Sequence, residues 1–231
     1  MGEADDRIER ARLAREYGLA IGPAHAELDG LNPIWLPGDA CEGILAELTA
    51  EIEDCARAEA DPLVLHLTNG DSPPPVSEIG LARFGELIAL AECLHVRLAF
   101  ENVRRAEHLM AVLDAFPSPA AGLCWDCGHA PLWTPDVDFL SLYGNRLFAV
   151  HLNDNDGTAD QHLIPFDGAL DWDDIAARLV RAGYRGPVSV EAEYSASGRY
   201  ADTSVEEFLA RTYRAGVRLD GMLEKLGSRS G

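Results

Sequence analysis

Short apolar runs alternate with helical patterns along most of the chain, and this alternation limits the possible folds more than any other feature of the sequence. Runs such as LVLH at 63–66 and LFAVH at 147–151 are typical of buried strands. Strands that alternate with helices indicate a parallel α/β sheet or barrel. The patterns predict strands over 19–24, 62–68, 96–101, 121–126, 147–152 and 187–191, and helices over 4–17, 40–59, 76–94, 103–115, 137–143, 172–182 and 203–226.

An ionisable side chain stands at the end of five of these strands: His66, Glu101, Asp126, His151 and Glu191. The carboxyl ends of the strands are where a parallel barrel gathers its catalytic groups. A strand end with a purely structural role has no reason to prefer His, Asp and Glu over Ser, Thr or Lys. We therefore expect one site, and its mixture of carboxylates and imidazoles suits Mn, Mg, Co or Zn.

Four segments together resemble the xylose isomerase-like TIM barrel superfamily, namely LAFENVRRAE, CWDCGHA, VHLNDNDGTADQHLIPFDGALDW and GPVSVEAE. The similarity runs from about residue 60 to 195, in the same order as in that superfamily. That superfamily includes sugar (or sugar phosphate) isomerases and epimerases, and the AP endonucleases of family 2. The resemblance implies a TIM-type (β/α) barrel. It also implies that one divalent metal is held by Glu101, Asp126, His151 and Glu191.

Other polar residues near these segments are the expected substrate contacts. We assign this role to His66, Glu107, His129, Trp133, Asp160 and His162. Asp154 and Asp156 are expected to serve turns and solvent, because Asp favours turns through bonds from its side chain to the backbone. The sequence departs from the pattern of ketose 3-epimerases at Gly157, where those enzymes carry an arginine, and it has Phe166 where a glycine is usual.

The resemblance implies an isomerase or epimerase that moves a proton through a metal-stabilised enediolate, with Glu101 and Glu191 taking and returning that proton. Two alternatives stay open. One is a non-catalytic barrel. The other is a multi-metal phosphodiesterase of the AP endonuclease type, whose additional ligands would be His25, His66, Asp160 and His162.

Composition narrows the class of protein and its partners. With 231 residues, 47% of them hydrophobic, the chain predicts one domain over 1–231. Its net charge of -20 disfavours nucleic acid as a partner. The family resemblance implies a small-molecule sugar or sugar phosphate as the substrate. Five scattered cysteines favour a reducing cytoplasm, and no apolar run is long enough to span a membrane.

The number of predicted strands is smaller than a closed barrel requires. Six strands are predicted, whereas a (β/α) barrel has eight, and the chain opens in a helical pattern where a first strand is expected. We therefore predict a barrel that is incomplete or distorted at its N-terminal end. Its uncovered strand edge would need protection, either by a second copy in a homodimer or by the helix over 203–226.

Overall fold

Helices and strands alternate along the residues that the computed structural model describes, which are 3–26, 30–195 and 198–228. The strands are β1 Ala24–His25, β2 Leu63–Leu65, β3 Leu98–Glu101, β4 Ala121–Asp126 and β5 Leu147–His151. The α-helices are α1 Glu3–Glu16, α2 Glu42–Ala58, α3 Glu78–Cys93, α4 Ala106–Ala115, α5 His129–Trp133, α6 Phe139–Tyr143, α7 Trp172–Arg181 and α8 Val205–Gly227. Two short 3₁₀ helices lie at Asn32–Trp35 and Gly144–Arg146.

The strands lie in the sheet in the order in which they occur in the chain, from β1 to β5. β1 pairs with β2 in parallel, with Ala24 opposite Leu63, and β2 pairs with β3 in parallel, with Leu63 opposite Leu98. The fold is of the TIM-barrel type, but the described residues form five strands where a closed barrel has eight. The prediction of an incomplete barrel is therefore confirmed.

Two strand predictions differ from the structure. The strand predicted over 19–24 is reduced to the two residues of β1, because Gly22 and Pro23 interrupt the run before it can pair. The strand predicted over 187–191 is wrong. There the chain meets its neighbour through a single parallel bridge between Leu152 and Val190, and its residues stay partly exposed.

The chain divides into two compact units, residues 1–123 and residues 124–231. In the first unit, Trp35 is almost completely buried and packs 5.2 Å from the ring of Phe84. Its indole nitrogen donates a hydrogen bond of 2.7 Å to the carbonyl of Leu67. Helix α3 passes close to this ring at Gly80, where an added Cβ would overlap the indole. The glycine therefore permits the close packing of the helix on Trp35.

The second unit has its own apolar cluster, which joins α8 to the segments before it. Leu163, Ile164, Tyr200, Phe208 and Ala215 are buried together in this cluster. Ser204 is the N-cap of α8, and its hydroxyl accepts a hydrogen bond from the amide of Glu207. Among the described residues, none of the helices combines the length and the apolar character needed to cross a membrane.

Candidate metal centre

Three of the predicted ligands lie together in the second unit. Asp126 ends β4, His151 ends β5, and Glu191 follows the bridge at Val190. One ligand atom from each lies within 4.8 Å of the others, and His151 Nδ1 is 3.1 Å from Glu191 Oε2. Asp126 and His151 are buried, whereas the side chain of Glu191 is 34% exposed. Glu191 is therefore the member of the group that solvent reaches most easily.

The carboxylate of Asp126 is held in one orientation by three hydrogen bonds. Its Oδ1 accepts from the backbone amides of Gly128 and His129, each at 2.7 Å. Its Oδ2 accepts from Nδ2 of the buried Asn153, also at 2.7 Å. An added Cβ at Gly128 would overlap the side chain of Asn153, so the turn after β4 needs a glycine for this contact. Hydrogen bonds of this kind orient a metal-binding carboxylate.

A second group in the same unit contains His129, Asp160 and His162. Nε2 of His129 is 3.3 Å from Asp160 Oδ2, and Nε2 of His162 is 3.2 Å from Asp160 Oδ1. Trp133 stacks on the ring of His129 with their centroids 4.2 Å apart. The three ligand atoms lie within 4.8 Å of one another. Four of the six predicted substrate contacts are therefore brought together.

Charge pairing controls protonation in this second group. Burial opposes ionisation of Asp160, but hydrogen bonds from His129 and His162 outweigh it and hold the pKa of the carboxyl below its usual range. Burial by itself lowers the pKa of His162, but the hydrogen bond to Asp160 outweighs it and raises this pKa to about 9. In the metal-free protein at neutral pH, His162 is therefore protonated and paired with a carboxylate.

A third group lies in the first unit, around Glu101 at the end of β3. The carboxylate of Glu101 is 1% exposed, and its Oε2 is 3.2 Å from His66 Nε2 and 3.4 Å from His25 Nε2. The three ligand atoms again lie within 4.8 Å of one another. His25 belongs to the two-residue strand β1, and His66 directly follows β2. Glu101 and His66 are thus adjacent, as the strand ends predicted.

The remaining predicted substrate contact, Glu107, is exposed. Glu107 stands in the first turn of α4, where a carboxylate interacts favourably with the helix dipole. Its role in binding stays a prediction. Two further residues of this segment are buried. The sequence analysis assigned no role to Asn153 and placed Asp154 in solvent. The prediction that Asp154 faces solvent is wrong, because its carboxylate accepts hydrogen bonds within the protein.

Comparison with known proteins decides the family. Residues 2–213 match the family model of the xylose isomerase-like TIM barrel. The chain belongs to this family. Among curated relatives, the uncharacterized protein y4fM of Sinorhizobium fredii is 35% identical over 149 residues, which are 61% of this chain and 47% of that protein. The fructoselysine 3-epimerase of Escherichia coli O157:H7 is 26% identical over 200 residues, 84% of this chain and 71% of the epimerase.

Solved structures with the xylose isomerase-like fold are similar over nearly the whole chain. A D-tagatose 3-epimerase-like protein has a TM-score of 0.76 at 18% identity, covering 98% of this chain and 85% of its own. The IOLI protein, solved with a binding zinc atom, has a TM-score of 0.73 at 19% identity, covering 97% of this chain and 83% of its own. At these identities the similarity concerns the fold alone. The chain spans only about half the length of y4fM.

Proposed function

We propose that the protein is a divalent-metal-dependent isomerase or epimerase of a sugar or sugar phosphate. The observation that carries the proposal is the convergence of three side chains in the second unit: Asp126 and His151, which end β4 and β5, and Glu191, which follows the bridge at Val190. The epimerase among the relatives supports a sugar as the substrate. Membership of the xylose isomerase-like family supports the isomerase or epimerase chemistry that the sequence resemblance implies.

The donor set fits a divalent metal. Zinc binds imidazole nitrogen and carboxylate oxygen at about 2.0–2.2 Å, so two ligands of one ion lie up to about 4.4 Å apart. The ligand atoms of Asp126, His151 and Glu191 lie within 4.8 Å of one another, close to that limit. Three protein ligands leave room for substrate oxygens. We further propose Glu101 as the fourth ligand, as the family resemblance implies.

A divalent ion bound there supplies Lewis-acid polarisation of a substrate carbonyl and its neighbouring hydroxyl. Within the protein, Glu191 is the carboxylate suited to take the carbon-bound proton, because it is the most exposed of the three ligands in the second unit. Nδ1 of His151 lies 3.1 Å from Oε2 of Glu191. Glu101 is the proposed partner that returns the proton. Return to the same carbon inverts it, and return to its neighbour isomerises the substrate.

The test is exchange of carbon-bound hydrogen in deuterium oxide, measured by NMR across a panel of ketoses, aldoses and their phosphates. We expect exchange that requires added metal and is lost in Glu191→Gln. The matched control is Glu193→Gln, which changes an exposed carboxylate two residues further on. Exchange that survives Glu191→Gln would remove this residue from the reaction, and absence of exchange with every sugar would remove the proposed activity.

A second candidate function is hydrolysis of a phosphodiester by several metals. The observation that favours it is the pair of further groups, His25 with His66 and Glu101, and His129 with Asp160 and His162. Each offers imidazole and carboxylate donors within 4.8 Å, which suits an additional ion. The net charge of -20 opposes a polyanionic substrate.

Metal content separates these candidates. One ion per chain after reconstitution supports the isomerase or epimerase, and two or three ions together with cleavage of bis(4-nitrophenyl) phosphate support the hydrolase. A chain that binds no ion under either condition fits the non-catalytic barrel. Elemental analysis of protein purified without added metal, repeated after reconstitution with Mn, Co and Zn, gives the count.

A further inference from the structure

The side chain of Asp154 is the most heavily hydrogen-bonded carboxylate of the loop that follows β5. It is completely buried. Oδ1 accepts from the amides of Asn155 at 2.9 Å and Leu170 at 3.1 Å, and Oδ2 accepts from the amide of Phe166 at 2.9 Å and the indole nitrogen of Trp172 at 2.8 Å. Three of these four donors lie 12 to 18 residues further along the chain.

These bonds close the loop 155–171 on itself. The backbone of Asp154 also pairs with that of Leu163 in an antiparallel bridge, with both N–H···O bonds at 2.8 Å. Gly168 lies so close to the carboxylate of Asp154 that an added Cβ would overlap Oδ1. The loop therefore approaches Asp154 from both sides, and Asp160 and His162 lie on the part that is enclosed.

Two loop residues adopt backbone conformations that L-residues rarely take. His162 has φ of 45° and Phe166 has φ of 77°, both in the left-handed region. Such conformations persist only where the surroundings determine them, and they cluster at functional sites. The amide of Phe166 is itself held by Asp154. His162 is separated by one residue from Asp160 and carries the ring that lies 5.9 Å from that of His129.

We propose that Asp154 is a positioning residue, which sets the conformation of the loop 155–171 and thereby holds Asp160 and His162 beside His129. The inference deepens the proposed function and rests on it for the roles of Asp160 and His162 at the site. A carboxylate suits the position because all four groups that face it are donors. An asparagine of the same shape accepts through one atom only and presents N–H groups to the other donors.

The test compares Asp154→Asn with the metal-free parent protein. We expect hydrogen exchange of the Phe166 and Leu170 amides to become about tenfold faster or more, because each loses a bond to a charged acceptor. We also expect loss of the NOE between the ring protons of His129 and His162 in histidine-labelled protein. The matched control is Asp156→Asn, which changes an exposed carboxylate of the same loop that bonds only to residues 158 and 161 among the contacts described. This control should keep the NOE.

A second variant covers the case in which Asp154→Asn does not fold. Gly168→Ala leaves the carboxylate intact and crowds the same contact, so it should produce the same loss of protection and of the NOE. If both variants fold, their effects on amide exchange should be less than additive when the two substitutions are combined in one chain, because both disturb the contact between Asp154 and Gly168. An unchanged NOE with unchanged amide exchange in either folded variant overturns the proposal.

A Co²⁺ titration tests the proposed function independently of the role of Asp154. Calorimetric titration of the parent protein with Co²⁺ alone tests the metal centre. If the parent binds no Co²⁺, the proposed function fails, while amide exchange and the NOE still decide the role of Asp154. If the parent binds Co²⁺, the ion at Asp126, His151 and Glu191 should remain in Asp154→Asn within about threefold in affinity, since none of these ligands belongs to the loop.

Discussion

Asn153 offers the sharpest test of how the proposed metal centre is built. Its side chain is completely buried and donates one hydrogen bond of 2.7 Å to Oδ2 of Asp126. A hydrogen bond to a charged group contributes about 1.5–3 kcal/mol to stability. Removing an outer partner of a metal ligand costs about 10–100-fold in metal affinity, which is about 1.4–2.7 kcal/mol. The two ranges agree, so Asn153→Ala is expected to lower both stability and affinity by similar free energies.

The assay has two parts. Urea unfolding of the metal-free protein gives the loss of stability, and calorimetric titration with Co²⁺ or Zn²⁺ gives the loss of affinity. The matched control is Asn145→Ala, which removes an exposed asparagine of the same unit and should change neither quantity measurably. An Asn153→Ala variant that binds metal within about threefold of the parent, while losing stability, would refute the claim that Asn153 orients Asp126.

Three further predictions concern protonation, thiol reactivity and a buried ion pair. Burial opposes the charge on His162, but Asp160 raises the pKa of this histidine from 6.5 to about 9. The pair therefore contributes fully to the stability of the metal-free protein below pH 6.5, and this contribution is lost as the pH rises through about 9. Urea unfolding at a series of pH values from about 6 to 9.5 measures the loss. Burial raises the pKa of Cys55 to about 12, so iodoacetamide at pH 8 should modify the exposed Cys93 long before Cys55 in the folded protein, as peptide mass spectrometry will report. Arg7 neutralises two buried carboxylates of α2 at distances of 3.3 and 2.9 Å. We expect Arg7→Met to lower the free energy of unfolding by about 1–3 kcal/mol. This range lies below that of a fully buried ion pair, because the arginine side chain is 41% exposed.

Each of these predictions has a control within the chain. His162→Gln should remove the dependence on pH between 6.5 and 9, and a parent protein that already lacks it would contradict the pairing. Early modification of Cys55 would show that α2 opens easily. Arg12→Met changes an arginine of α1 whose partners, Glu9 and Glu16, are exposed, so it should lower the free energy of unfolding much less than Arg7→Met does. Equal losses for the two arginine variants would contradict the role of burial.

Strands with continuous apolar runs could be predicted well from the sequence. β4 has the predicted bounds, and β5 ends one residue earlier than predicted, because such runs are buried whatever their neighbours are. The run before Glu191 is also apolar, yet it pairs through one bridge and forms no strand. Whether this run forms a strand depends on its pairing with the backbone at Leu152, and a local sequence pattern contains no information about that pairing. In β1, the pairing begins only after Pro23, so a two-residue strand leaves almost no signal.

The proximity of Asp126, His151 and Glu191 was predictable for the same reason, because these residues directly follow or end apolar runs; their role as metal ligands stays a prediction. His25 was considered only as a ligand of the hydrolase alternative, since its strand was expected to end before it. Asp154 shows the limit of local reasoning. An aspartate among asparagines favours a turn, but the donors that bury it come from Phe166, Leu170 and Trp172, far along the chain. Burial by distant donors has no periodic pattern that a sequence window can detect.

The order of the strands also bears on how the chain folds while it is being synthesised. Since β1 to β5 lie in the sheet in chain order, each new strand pairs with the one that left the ribosome just before it. Every such pairing spans only one or two α-helices and their connections, which limits the entropic cost of closing each connection. Domains fold from their N-terminal side during translation. A chain lacking β1 would leave the edge of β2 that pairs with β1 without a partner strand.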